Sequence, residues 1–239
     1  MKLDILVLAA HPDDVELGAG GTIAKHVALG YKVGIIDFTK GELGTRGTPE
    51  LRSQEAAAAA KILGVSVREN LGLADGFFQN DPSSQMPVIK MIRKYQPSIV
   101  IGNAITDRHI DHGKGASLAY DASFLSGLVK IETKDDEGNA QQAWRPKVVY
   151  HYIQSHYIVP DLVVDISAHF ETKMNSIKAF KSQFFDPSSK EPQTYISNPA
   201  FMKMVEGRAQ ELGHSIGVEY GEGFTVRRVP GVNSLFDLI

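Results

Sequence analysis

The 239-residue chain contains no cysteine. That absence excludes disulfides, thiolate nucleophiles and cysteine-ligated zinc, and says little about compartment. Lys and Arg nowhere gather into a block dense enough to track a phosphate backbone. The net charge of −3 points the same way, so nucleic acid is not an expected partner. No apolar run approaches membrane-spanning length, so no membrane partner is expected. The opening stretch MKLDILVLAAH carries Asp4 beside a short apolar run and reads as a first β-strand rather than a signal peptide. A soluble cytoplasmic protein is the expectation. Nucleotide signatures are also thin. GELGTRGT lacks the Gly-Lys-Ser/Thr ending of a Walker A loop, and Gly18-Ala-Gly20-Gly21 does not fit G-x-G-x-x-G. Asp37 nonetheless stands at a ribose-contact distance from that turn, which leaves a nucleotide-binding Rossmann-like protein as the alternative from another class.

What is present suits one globular domain over residues 1–239, with 43% hydrophobic and 22% charged residues and no linker or repeat. Leu3 to Ala10 is a continuous apolar run ended by a turn, as expected of a strand buried on both faces. Gly18, Gly20 and Gly21 are read as leading into a short helix that ends near Gly30. A second strand covers Lys32 to Thr39. Thr48, Pro49 and Glu50 then supply an N-cap, a first-turn proline and a dipole-complementing acid for an alanine-rich helix running to Leu63 and stopping at Gly64. The run Ala56 to Ala60 implies close helix packing. Strands near Val65–Leu71 and Ser98–Gly102 flank a helix over 86–95, and a further helix is expected from about Gly113 to Leu128. After an exposed loop, TKDDEGNAQQ, come the strands KVVYHYI and DLVVDIS, helices around 170–184 and 199–213, and a last strand near Phe224 to Arg228. The alternation predicts an α/β fold: a Rossmann-like, mostly parallel sheet flanked by helices, with an elaborated C-terminal part.

Ligands of open α/β sheets bind beyond the carboxyl ends of the strands. HPDDVE, KGELGTRG and TDRHIDHGK all fall there. Taken singly, HPDD is a Pro-Asp turn with Asp13 or Asp14 capping the next helix, and RHIDH is a polar loop with Asp111 as a cap. Taken together, His11, Asp14 and a histidine from 109–112 form a two-nitrogen, one-oxygen set of the kind that holds catalytic zinc and leaves a position for water. Asp13 remains beside it as a general base. Spacing alone does not choose between His109 and His112. Elsewhere His26 reads as a helix-face residue and His169 and His214 as surface residues. His151 and His156 border a strand and are read as packed or solvated rather than pocket-lining.

AHPDDVELGAGGTIAKH with a later HIDH resembles the PIG-L/LmbE-like family of zinc-dependent N-acetylglucosaminide deacetylases. TKGELGTRGTPELRSQEAAAAAKILG, KAFKSQF and ELGHSIGVEYGEGF are similar to its bacillithiol-pathway branch, so the likeness covers nearly the whole chain. The resemblance implies a Rossmann-like domain. It makes His11, Asp14 and His112 the ligands of zinc, with ferrous iron as the other metal. Asp13 becomes the general acid/base, and a protonated His109, oriented by Asp111, the stabiliser of the tetrahedral intermediate. Where many relatives carry proline, this chain has Ile110. A small-molecule amino sugar is the implied partner, N-acetylglucosaminyl-malate the substrate of that branch, and a homo-oligomer, a hexamer, the assembly. Another N-acetylglucosamine conjugate or a chitobiose-like disaccharide is the alternative substrate. A malyl group carries two carboxylates, which arginine forks would hold. The resemblance places Arg52 and Arg108 at the pocket rim as substrate-binding residues, while Arg46 reads equally well as an ordinary solvated charge.

Overall fold

A computed structural model describes residues 1–184 and 187–238. Seven strands form one sheet in the order β3-β2-β1-β4-β5-β7-β6, with β1 Ile5–Ala9, β2 Val33–Asp37, β3 Val67–Asn70, β4 Ile99–Gly102, β5 Val148–Tyr152, β6 Leu162–Asp165 and β7 Gly221–Val226. The first five run parallel; β7 enters between β5 and β6 antiparallel to both. The helices are α1 Asp14–Ala28, α2 Pro49–Leu63, α3 Pro82–Tyr95, α4 Ile110–Leu125, α5 Phe170–Lys178 and α6 Pro199–Ser215.

Period-two alternation in β1 feeds two cores. Leu6 and Leu8 point to one face, where α3 and α4 supply Val88, Ile92 and Leu118; Ile5 and Val7 point to the other, against Val15, Ala19 and Ile23 of α1. A third cluster joins Ala56 and Ala59 of α2 to Ile177, Phe180, Phe201 and Val205. In the alanine run, Ala56 and Ala59 are buried while Ala57 and Ala58 are exposed, so the helix presents one small-residue face to α5.

α2 has the bounds and caps its sequence announces. The Thr48 side chain accepts from the Leu51 N–H, and Gly64 closes the helix at φ 73°. Other helices differ from expectation: α3 begins at Pro82 rather than Met86, and α5 ends at Lys178 rather than near 184. Gly18, Gly20 and Gly21 lie inside α1 rather than before it. A Cβ at Gly18 would run into the Tyr152 ring, and one at Gly21 would come within 2.7 Å of Ile166. They are interior because α1 must lie close against what covers it. α4 begins at Ile110, three residues before the expected Gly113, and takes His109 as its N-cap.

Strand order places the chemistry. The chain winds outward from β1 through β2 to β3, then returns to lay β4 on the other side of β1. The turns after β1 and β4 therefore leave in opposite directions, and a crevice opens between them.

Candidate active site

The turn after β1 is closed by its own residues. The His11 N–H donates to Asp14 Oδ2 at 2.9 Å and the Asp14 N–H to the His11 carbonyl at 3.3 Å. Between them Asp13 adopts φ 104°, ψ −25°, a left-handed conformation that a side chain disfavours. Although Asp13 occupies the N-cap position of α1, its carboxylate makes no capping bond, so the helix-cap explanation of this aspartate does not hold. Asp14 is pinned. Oδ2 also accepts from Asn103 Nδ2 at 2.9 Å, and Oδ1 accepts from Gln154 Nε2 at 2.9 Å.

Two imidazoles converge on that carboxylate. His112 Nε2 lies 3.0 Å from Asp14 Oδ1, and His11 Nδ1 lies 3.5 Å from Oδ2. The remaining nitrogen of each ring meets another acid: His112 Nδ1 is 2.6 Å from Asp107, while His11 Nε2 is 3.0 Å from Asp75 and 3.3 Å from Asp111. Burial opposes charge on His112, but Asp14 and Asp107 outweigh it and hold its pKa at about 9. His11 is likewise held well above the ordinary value, with Asp111, Asp14 and Asp75 overcoming burial. Despite its burial, Asp14 is held well below the usual carboxylate range by His112 and His11. Two nitrogens and one carboxylate, each imidazole backed by an outer acid, fit a divalent metal. Among the described residues, the groupings whose ligand atoms all lie within 4.8 Å of one another are His11/His109/His112 and His11/Asp75/Asp111. In the second, both acids crowd one nitrogen of His11 and also accept backbone N–H groups, from Leu43 at 2.9 Å and Gly76 at 2.7 Å, as outer supports do. In the first, His109 Nδ1 is already occupied by the Asp111 N–H at 3.2 Å. His11, Asp14 and His112 are not one of these two groupings, although one oxygen of Asp14 lies 3.5 Å from His11 and the other 3.0 Å from His112.

Asp13 differs from its neighbour. Burial raises its carboxyl to about 7, against the opposing charge of Arg52. The sequence reading placed Arg52 at the rim with a free fork. Instead, the guanidinium is 5% exposed and donates to the Pro12 carbonyl at 2.6 Å, the Gly41 carbonyl at 3.1 Å and Asp13 Oδ2 at 3.3 Å. Nη1 and Nη2 tie the β2–α2 loop to the aspartate turn, while the buried Nε has no hydrogen-bond partner among the described residues. Arg46 is likewise no solvated charge; it is buried and bonded to Ser189 at 2.8 Å and Glu191 at 3.4 Å. Arg108 is exposed, lies 4.4 Å from the Tyr195 ring, and among the described residues has no ion-pair partner.

The expected pairing of His109 with the Asp111 carboxylate is not what the structure holds. That carboxylate turns to His11, Gly76 and Lys114, which, against burial, bring its pKa to about 2. Only the Asp111 backbone N–H reaches His109 Nδ1, because the N-cap position aims the ring at the first helical turn. His109 Nδ1 thereby accepts and leaves Nε2 to carry the proton, and burial together with the charges on His11 and His112 lowers the pKa of the ring.

Asp75, Asn103, Asp107 and Gln154 escaped the sequence reading. Each follows within a few residues the carboxyl end of β3, β4 or β5, the one signal that would have found them. His151 sits within β5 and donates its Nδ1–H to the Asn103 carbonyl at 2.9 Å, and burial lowers its pKa to about 4. His156 is exposed. The ribose role open to Asp37 is taken away: Arg68 grips both its oxygens at 2.8 and 3.0 Å and reaches Glu16 at 2.6 Å. With the glycines inside α1, nothing remains of the dinucleotide alternative. No helix among the described residues is long and apolar enough to cross a membrane.

Metal-assisted hydrolysis is the chemistry such an arrangement suits, and the class is that of deacetylases, hydrolases of amide bonds. The chain belongs to the PIG-L family: residues 6–123 match the family described as GlcNAc-PI de-N-acetylase. A solved conserved protein of Thermus thermophilus, TT1542, superposes with TM-score 0.85 at 33% identity over 98% of both chains. Diacetylchitobiose deacetylase of Thermococcus kodakarensis is 27% identical over 95% of this chain and 84% of its own length. A probable N-acetyl-α-D-glucosaminyl L-malate deacetylase of Bacillus subtilis is 26% identical over 77% of this chain and 84% of that protein. A 4-oxalmesaconate hydratase of Pseudomonas putida is also 26% identical, over 74% and 73% respectively.

Proposed function

We propose that this chain removes the acetyl group from an N-acetylglucosamine conjugate with zinc as its metal, and that N-acetylglucosaminyl-malate is the substrate. The carrying observation is the contrast between two adjacent aspartates. Asp14 is held ionised among imidazoles, while Asp13 stands uncapped with a pKa near 7, where proton exchange is efficient. Zinc, or ferrous iron, held by His11, Asp14 and His112 supplies Lewis acidity and acidifies water. Asp13 takes the proton of the attacking water and returns it to the amide nitrogen as the C–N bond breaks, giving acetate and a free glucosamine. His109 donates its Nε2–H to the developing oxyanion. Arg52 keeps the Asp13 carboxylate in place, and the free fork of Arg108 takes a malyl carboxylate.

The relative from Bacillus subtilis supports the malyl reading; the one from Thermococcus kodakarensis favours a chitobiose-type disaccharide as the second. The assembly belongs to the same proposal, a homo-oligomer, hexameric, read by light scattering. The deciding experiment incubates zinc-loaded protein with N-acetylglucosaminyl-malate, diacetylchitobiose and methyl N-acetylglucosaminide, and quantifies free amine and acetate. Amine release from all three with the highest kcat/KM for the malyl compound is expected. No amine from any of them removes the deacetylase reading, and a preference for the disaccharide replaces malate.

A further inference from the structure

The catalytic cluster occupies only one part of its cavity, which measures about 430 Å³. The other part has no charged ligand to offer. Phe201, Val205, Ala209 and Leu212 recur along one face of α6 and line it, joined by Leu17 of α1 and Ile153 beyond β5. Gly18, Gly221 and Gly223 also line it, packed closely against Tyr152, Val163 and Ile153. A Cβ at Gly223 would come within 3.0 Å of Ile153, 3.2 Å of Pro160 and 3.3 Å of Leu212, so apolar side chains close around this strand.

The ionic groups bordering this region are already satisfied. Lys173 and Glu222 are both buried and face each other at 2.5 Å. The ammonium also donates to the Leu17 carbonyl at 2.7 Å, and Glu222 accepts the Gly21 and Thr22 N–H groups at 3.0 and 2.7 Å. Arg208 gives its guanidinium to the carbonyls of Gln154, Ser155 and His156 at 3.3 to 3.5 Å. An N-acetyl sugar with a dicarboxylate tail uses none of this apolar wall.

We propose that this part of the cavity receives an apolar group of several carbons carried by a second class of substrate beside the malyl conjugate, either an N-acyl chain longer than acetyl or an alkyl aglycone. The assignment rests on the deacetylase reading for its chemistry, since the apolar wall continues from the same catalytic cluster. Both sources bring the same chemistry to the wall, and burial of each methylene there favours binding about fourfold, from roughly 0.8 kcal/mol.

Zinc-loaded protein is assayed in two pairs: methyl against hexyl N-acetylglucosaminide, and methyl N-acetyl- against methyl N-hexanoyl-glucosaminide. Calorimetry with methyl and hexyl glucosaminide, the free amines, reads the aglycone arm without turnover. A gain of at least about tenfold in kcat/KM in one pair is expected, and the pair that shows it names the source. Ala209→Phe, or Leu212→Trp should the first variant fail to fold, is expected to erase that ratio. Hydrolysis of the methyl N-acetylglucosaminide with no advantage in either pair overturns the proposal, as does an advantage that survives both substitutions. Tighter hexyl binding without hydrolysis of any N-acetylglucosaminide supports the apolar site while removing the deacetylase reading.

Discussion

Two buried clusters of acids lie at the carboxyl ends of the first strands, and they reach electrical balance differently. Beside β2 and β3, Asp37 and Glu16 close on Arg68, whose permanent charge and planar fork hold both Asp37 oxygens and one Glu16 oxygen at 2.6 to 3.0 Å. At the β1–β4 crevice, Asp14, Asp75, Asp107 and Asp111 surround His11 and His112, with Lys114 reaching Asp111 alone, and an imidazole is a base whose proton a metal can replace. An arginine-closed cluster has no need of an ion and stiffens the fold. A histidine-closed cluster is completed by a metal, and at pH 7 its imidazoles exchange a proton for one. Function belongs to the cluster whose counter-charge is removable.

The sharpest way to break that contrast is Arg68→Met. It leaves Asp37 and Glu16 buried without their counter-ion, a loss expected to cost about 3–5 kcal/mol in denaturant unfolding. Deacetylation per folded molecule should survive. A variant of native stability with no activity would show that Arg68 serves chemistry and not the frame.

His151 offers a histidine at the same end of the sheet with no carboxylate beside it. Burial lowers its folded pKa to about 4, below the ordinary 6.5 of an unfolded chain. Between those values the unfolded chain binds the extra proton, so the stabilisation is complete above pH 6.5 and is lost as pH falls towards 4. Up to about 3 kcal/mol is at stake. Metal-loaded wild type and His151→Gln should therefore converge in stability as the pH is lowered through that window. Parallel pH–stability curves would refute the assignment.

Within the crevice, Asp13→Asn is nearly isosteric and cannot accept a proton. We expect bound metal retained and kcat lowered at least ~10²-fold. Asp14→Asn should instead lose metal by elemental analysis, as should His112→Ala, whereas His109→Ala should keep it and lose turnover. Equal metal loss in the two histidine variants would undo the division of labour between them. The smallest effect is expected from Arg108→Ala: about tenfold in kcat/KM for the malyl substrate and nearly none for a methyl glycoside, one charge-assisted contact at an exposed position. Equal losses on both substrates would detach Arg108 from malate.

The alternation of apolar strands with capped helices was legible along the chain because each signal is local. Thr48, Pro49 and Gly64 bound α2 by their own backbone chemistry, and the apolar run of β1 can only be a strand covered on both faces. Where a neighbour far along the chain set the outcome, the local reading slipped. Three glycines looked like the loop before α1 and turned out to be its contact face against Tyr152, Ile166 and Lys173. The early start of α4 followed from His109 serving as a cap, a role that histidine composition does not announce.

The sequence by itself determined which residues could do the chemistry: imidazoles and carboxylates grouped in two short turns, with no thiol to compete. Tertiary structure alone decided their states. The crossing from β3 back to β4 set His112 against Asp14, 98 residues away, and brought Asp75, Asp107 and Gln154 around them. Arg52 became the tether of Asp13 and not a rim cation, and Asp111 turned its carboxylate to His11 instead of His109. A pKa and a free guanidinium depend on burial and on which charges lie within a few ångströms, and those distances exist only once the sheet has closed on its crevice.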